Sequence, residues 1–334
     1  MKLELPCWTS HHNMLIYSLL FHCNENDENF DIAFNCKIAV AGAILYVNKY
    51  KIFFDYSDNI VFIDNPKQYD FYFKRSFMFT DQYENVHPLN FQVNFSFKTI
   101  NILPKFHFKD LLNTRNRVEV IRAMDYFNLF TNLSHNAMDI RSFPKDGLDN
   151  NGKIIFHTRL WNPDNHSDFE EKSRRENQNE FRIEACRIIK SNFKNVSVGL
   201  FPDELSKKIA PDILLNLKST SKKEYFKSLK HADIGIADDG LKDTPGWKIG
   251  EYLLFGKAVI TTPVKITLNN FEEHLNYEKV ENRNSYLELP EKIEYLLEGK
   301  RYLKMGENNL KWSNAHLHPQ NYIKRIMNII ENII

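Results

Sequence analysis

Four consecutive stretches decide the fold: Ala232-Asp233-Ile234-Gly235-Ile236-Ala237, the loop Asp238 to Lys248, Trp247 to Phe255, and Lys257-Ala258-Val259-Ile260-Thr261. The first and last are short apolar runs of strand length, and the segment between them reads as a loop running into a helix. Working outward, Lys153 to His157 and Asn195 to Phe201 read as further strands. Helices are predicted over Asn177 to Phe193, Lys222 to Lys230, Tyr286 to Glu298, Tyr302 to Asn314 and Gln320 to Ile333. Apolar strands alternating with helices indicate a parallel sheet covered on both faces.

The first half reads differently. Ser10 is a candidate cap for a short helix carrying His11, His12, Leu15, Leu19 and Leu20. Ala43 to Val47 and Lys51 to Tyr56 read as strands around Asn48-Lys49-Tyr50, and Asp70 to Arg75 as another. Leu111 to Phe130 has mixed helical character. Asp146 to Gly152 is the best turn cluster, and the domain boundary is placed there. The expected organisation is 1–150, 151–315 and a C-terminal helix at 316–334 that crosses back to the first domain. That helix is apolar along Tyr322, Ile323, Ile326, Met327, Ile330 and Ile333 and must pack on something.

Length and composition agree. The chain has 334 residues, 43% hydrophobic and 26% charged, enough for two cores at ~150 residues per domain. A formal net charge of +1 gives no global support for nucleic-acid binding. Cys7, Cys23, Cys36 and Cys186 form no C-x-x-C pair, which fits a reducing compartment. No signal peptide is expected, and no apolar stretch reaches the ~20 residues of a bilayer span. A cytoplasmic protein with peripheral contact at the inner membrane face is the expectation.

Ligands of such sheets bind beyond the carboxyl ends of strands. The loop there reads Asp238-Asp239-Gly240-Leu241-Lys242-Asp243-Thr244-Pro245-Gly246-Trp247-Lys248. A helix N-terminus offers unpaired amides and partial positive charge to a phosphate, and Gly246 lets that phosphate approach. Glu251, about one turn in, can accept from two adjacent ribose hydroxyls.

Asp243-x7-Glu251, with Gly246 between and Glu251-Tyr252-Leu253-Leu254-Phe255-Gly256-Lys257-Ala258-Val259-Ile260 following, resembles the E-x7-E region of retaining, family 4-like GT-B glycosyltransferases. Gly246 to Tyr252, Thr158-Arg159-Leu160-Trp161-Asn162-Pro163 and Phe73-Lys74-Arg75-Ser76 resemble a bacterial surface-polysaccharide branch of that group. The resemblance implies two Rossmann-like α/β domains facing across a cleft, the first binding acceptor and the second binding a nucleotide-diphosphate sugar. It implies that Glu251 holds the ribose, Asp243 lies near the donor sugar, and Gly246 with Trp247 and Lys248 meets the diphosphate. Arg159 would neutralise the donor phosphates. Lys172 is assigned as its partner, with Arg174 and Arg175 competing across the polar insertion Asp164 to Glu176. Asp243 is one methylene shorter than the usual Glu.

Cations and helix amides can stabilise a leaving diphosphate, so neither metal nor cofactor is expected. Asp238-Asp239 is adjacent rather than an Asp-x-Asp. On the acceptor side, Asp58 is a catalytic candidate, and His11, His12, Lys74 and Arg75 are binding candidates. The expected function is glycosyl transfer to a surface glycan such as capsule or O-antigen. A nucleotide-sugar epimerase on the same fold, or a silent glycan- or nucleotide-binding subunit, are the alternatives.

Overall fold

A computed structural model describes residues 1–78, 83–96, 104–126, 137–144, 150–240, 242 and 244–332. The chain forms two compact units. The first holds Met1–Phe143, Ile266–Asn269 and Asn314–Ile334; the second holds Pro144–Lys265 and Asn270–Ser313. Residues 146–149 of the turn cluster lie outside the described residues. Both units are α/β and Rossmann-like.

In the first unit the strands are β1 (Lys2–Leu5), β2 (Asp31–Phe34), β3 (Gly42–Val47), β4 (Tyr50–Asp55), β5 (Phe71–Lys74), β6 (Val86–Pro88), β7 (Phe95–Ser96), β8 (Lys105–Phe106) and β9 (Met138–Asp139). The helices are α1 (Asn13–Glu25), α2 (Phe108–Leu112) and α3 (Thr114–Tyr126). The main sheet has the order β6-β5-β4-β3-β1-β2-β8, and β7 pairs separately with β9. Only β3 runs against its neighbours in the main sheet. The cause is local. β3 and β4 form a hairpin closed at Asn48, whose φ of 52° is tolerated because a short polar side chain can bond locally. The α1 helix starts later than Ser10 predicts. Its N-cap is His12, and no side chain caps it.

In the second unit the strands are β10 (Ile154–Thr158), β11 (Val196–Leu200), β12 (Ile234–Ile236), β13 (Ala258–Thr261) and β14 (Glu278–Lys279). The helices are α4 (Phe169–Asn192), α5 (Glu204–Ile209), α6 (Lys222–Lys230), α7 (Trp247–Leu254), α8 (Leu289–Leu297) and α9 (Arg301–His316), the last passing into the first unit at Asn314. The sheet is wholly parallel, in the order β11-β10-β12-β13-β14. β10, β12 and β13 are buried throughout, as strands covered on both faces must be. Gly235 is required here. A Cβ on it would lie 2.4 Å from the Tyr252 ring, which α7 lays on β12.

The final helix, α10 (Pro319–Glu331), packs on α1 and buries Tyr322, Ile323, Ile326 and Ile330, while Ile333 lies outside the described residues. One correction concerns α4, which begins at Phe169 rather than Asn177. Its first two turns absorb much of the polar insertion, and the Asp168 carboxylate caps them by accepting from Glu171 N at 3.2 Å. Among the described residues no helix is long and apolar enough to cross a membrane.

Candidate functional site

Because β10, β12 and β13 are parallel, their carboxyl ends share one edge. His157 and Arg159 stand at the end of β10, Asp238 and Asp239 follow β12, and α7 opens after the loop. Asp243 and Leu241 lie outside the described residues.

Gly246 is the N-cap of α7, and having no side chain it makes no side-chain cap bond itself. A Cβ on Gly246 would meet none of the described residues within 4 Å, so there is room beside that residue. Trp247 and Lys248 fill that first turn, both partly buried. The Lys248 ammonium lies 5.4 Å from the Tyr225 ring centroid. Burial pushes its pKa down to about 8, with Lys222 and Arg182 repelling it and Glu251 and Asp238 opposing the shift. No ion pair holds Lys248 among the described residues.

Glu251 lies one turn further, 2% exposed. Tyr225 Oη donates to its Oε2 at 2.7 Å, and Lys222 Nζ donates to its Oε1 at 3.2 Å. Both partners come from the first turn of α6, which Ser221 caps by accepting from Glu224 N. The sequence reading missed Lys222 and Tyr225. Ser221 with Glu224 is a legible start signal for α6, but nothing local says that α6 faces α7.

His157 Nε2 lies 2.8 Å from Ser197 Oγ, and its ring sits 5.7 Å from that of Tyr225. Burial, with Lys248 and Lys153 nearby, pushes its pKa down to about 4, so the imidazole is neutral at pH 7. Arg159 is exposed, its guanidinium 4.1 Å from the Trp161 ring centroid. Burial of its inner part and repulsion from Arg182 lower its pKa, against attraction from Asp203.

The adjacent acids are committed. Asp238 accepts from Arg182 Nε at 2.7 Å and from Gln178 Nε2 at 3.0 Å, both from α4. Asp239 accepts from Arg283 and from Thr262 Oγ1 at 2.8 Å. In the α4 insertion, Arg174 pairs with Glu171 at 3.2 Å, and Arg175 lies 2.6 Å from His166 Nε2. Lys172 makes no ion pair among the described residues. Among the described residues the edge therefore gathers Lys222, Lys248, Arg159, Arg182 and Arg283 against Glu251, Asp238 and Asp239, a cationic excess beside a helix N-terminus. Such a site suits a diphosphate.

The first-unit candidates separate. Lys74 is fully buried, and its ammonium donates to Asp55 Oδ2 at 2.9 Å and to the carbonyls of Asn59 and Val61 at 2.9 and 3.0 Å. All three of its donors are used. His12 is also fully buried, its Nε2 3.2 Å from Gly42 O, and burial pushes its pKa down to about 3. Arg75 is buried and pairs with Asp58, which stays partly exposed. His11 Nδ1 lies 3.3 Å from Gln92 Oε1. Burial lowers its pKa, Arg75 lowers it further and Asp58 opposes. The fold thus brings His11, Asp58 and Arg75 together and leaves Lys74 and His12 as interior struts. Elsewhere, Glu273, His274 and Glu278 bring ligand atoms within 4.8 Å of one another. Lys279 lies 2.8 Å from Glu273 and Lys292 4.0 Å from Glu278.

No protein-family model matches the chain, and no curated protein matches its sequence. Several solved structures are loosely similar. One is the C-terminal domain of a glycosyl transferase group 1 family protein, LpcC, from Francisella tularensis. It is 17% identical at a TM-score of 0.37, covering 54% of this chain and 97% of that one. Another is HepE from Anabaena in complex with UDP-glucose, 11% identical at a TM-score of 0.42, covering 80% of this chain and 65% of that one. A third is the pneumococcal O-GlcNAc transferase GtfA with UDP and GlcNAc, 15% identical at a TM-score of 0.32, covering 65% of this chain and 44% of that one. The chain thus spans less than two thirds of HepE and of GtfA.

Proposed function

We propose that this chain is a glycosyltransferase that moves a sugar from a nucleotide-diphosphate donor to a surface-glycan acceptor. The observation that carries the reading is Lys248, an ammonium without an ion-pair partner among the described residues, set in the first turn of α7 close to Gly246, where a Cβ would meet none of the described residues within 4 Å. In this reading the second unit holds the donor. The diphosphate lies against the α7 amides, Lys248 and Arg159, with Lys172 and Trp247 at its rim. Negative charge grows on the leaving phosphate as the sugar bond breaks, and these groups stabilise it where it develops. They suffice without a metal.

Glu251 takes the ribose. Tyr225 and Lys222 occupy one acceptor position on each of its oxygens, and a carboxylate offers about four. Lys222, 34% exposed, shifts aside for the ribose to reach it. Asp243 retains its assignment near the donor sugar. In the first unit Asp58, with Arg75 and His11 beside it, contacts the acceptor, which is a glycan or lipid-linked glycan at the inner membrane face.

Calorimetric titration with UDP, GDP, CMP and dTDP tests this. One nucleotide should bind, and Lys248→Ala and Glu251→Gln should each weaken it at least tenfold. Failure of all four nucleotides to bind would sink the donor assignment.

A further inference from the structure

Residues 105–122 of the first unit read Lys105-Phe106-His107-Phe108-Lys109-Asp110-Leu111-Leu112-Asn113-Thr114-Arg115-Asn116-Arg117-Val118-Glu119-Val120-Ile121-Arg122. They cover β8, α2 and most of α3. The two acids of this stretch face inward. Asp110 is 7% exposed and accepts from Phe34 N at 3.2 Å and from Asn116 Nδ2 at 2.7 Å. Glu119 is buried as well and accepts from Trp8 N at 3.1 Å and from Arg122 at 2.8 Å. The cations face outward: Lys105, Lys109, Arg115, Arg117 and Arg122 are all exposed.

Large apolar side chains are exposed among them. Phe108 is 73% and Leu112 68% exposed, and Leu111, Val118 and Ile121 are exposed too. On α2, positions 108, 111 and 112 share one face; on α3, positions 118 and 121 do. Single exposed apolar residues such as Val40 or Leu287 need no explanation, but a cluster of this density marks an interaction site.

Charge identifies the occupant. Residues 105–122 turn their own acids inward, and Asp31, half exposed 3.8 Å from His107, is a carboxylate beside them. Among the described residues this surface shows solvent an apolar centre with cations in excess. A bilayer containing anionic lipid matches both properties, since it offers an apolar boundary beneath a layer of negative headgroups. We propose that α2 and α3 seat the first unit on an anionic lipid surface. Phe108 and Leu112 enter the boundary between headgroups and acyl chains, and Lys105, Lys109, Arg115 and Arg117 meet lipid phosphates. The proposal rests on the peripheral-membrane part of the reading above and is independent of the donor site.

The test is co-sedimentation of the full chain with vesicles of phosphatidylcholine alone, or with about one third phosphatidylglycerol. Binding should require the anionic lipid and fall as salt rises. Lys109→Ala with Arg115→Ala should weaken it by about 25-fold, at about fivefold per charge. Phe108→Ser with Leu112→Ser should abolish it. Both variants should keep the wild-type unfolding midpoint and nucleotide affinity, because the altered side chains are exposed and lie outside the donor unit. Absence of wild-type binding to anionic vesicles overturns the proposal, as does binding that both variants retain. A dimer in light scattering that Phe108→Ser dissolves, with no vesicle binding, gives the face to a second copy instead. Vesicle binding without nucleotide binding would leave this proposal standing and sink the donor reading alone.

Discussion

Tyr225 donates its hydroxyl hydrogen to Oε2 of Glu251 at 2.7 Å, tying the first turn of α6 to α7. Both side chains are buried, so the bond forms away from competing water. It fixes the carboxylate before any ligand arrives.

Tyr225→Phe should therefore cost about 1–2 kcal/mol of stability, because one oxygen of a buried carboxylate loses a donor. Glu251→Ala should cost about 2–3 kcal/mol, since it strands the Tyr225 hydroxyl. Glu251→Gln keeps an acceptor and should recover part of that loss while nucleotide binding stays weak. Urea unfolding beside nucleotide titration separates the two effects. Recovery of binding in Glu251→Gln would show that the negative charge is not what the ligand requires.

Lys248 gives the pH dependence. Its pKa in the folded chain is about 8, below the ordinary lysine value of 10.5. Between these values the unfolded chain binds more protons than the folded one, so stability rises with pH over that window. Below pH 8 the cost of holding the charge is present in full. Lys248→Met should remove this slope and raise the unfolding midpoint at pH 7. Nucleotide affinity should move the opposite way, falling as pH rises through 8 in the wild type and lying flat and weak in the variant. A wild-type affinity that is level from pH 7 to 10 would remove Lys248 from the phosphate site.

Lys74 tests whether a basic strand end serves the acceptor or the fold. Removing one partner of a buried ion pair leaves an uncompensated charge and costs about 3–5 kcal/mol. Asp55→Ala should reach that range, since Lys74, Tyr72 and Ser57 all donate to Asp55. The double change Asp55→Leu with Lys74→Met should cost less than Asp55→Ala alone. Equilibrium unfolding measures both. A fully stable Asp55→Ala protein would mean the pair is dispensable.

The second unit was largely legible because a parallel strand buried on both faces must be an apolar run. Ala258 to Thr261 and Ile234 to Ile236 stand out against their polar flanks for that reason. The start of α4 was not, although Asp168 and Glu171 carry an acidic start signal, because the polar run after them has no apolar period. Site residues followed the same division. Gly246, Lys248 and Glu251 fall within one short segment, so spacing alone joins them. Lys74 reads as an acceptor-side candidate because its partner Asp55 reaches it only through the β4–β5 register, in which the two residues are opposite. Lys222 and Tyr225 meet Glu251 across a helix-to-helix contact that no local pattern encodes. The charge sorting of α2 and α3 is invisible for a related reason: their sequence mixes acids with bases, and only burial shows which face each takes.

Gly235 offers the sharpest test of how β12 and α7 are fitted together. The Tyr252 ring lies where a Cβ would stand, with Cδ2 at 2.4 Å and Cγ at 2.6 Å, and the Tyr252 hydroxyl donates to Ile236 O at 3.0 Å. The ring is thus pinned at both ends, by its helix and by its hydroxyl. Gly235→Ala should force α7 outward and cost about 1–3 kcal/mol or more, the usual penalty of overpacking. Pairing it with Tyr252→Leu removes the ring and should make the alanine nearly neutral in that background, a non-additivity expected of side chains in direct contact. Because α7 carries Gly246, Lys248 and Glu251, the single Gly235→Ala change should also weaken nucleotide binding without altering any group that meets the ligand. Unfolding curves for the four proteins of this cycle, with nucleotide titration on the folded ones, decide it. Full additivity would mean that α7 does not rest on β12 at Gly235.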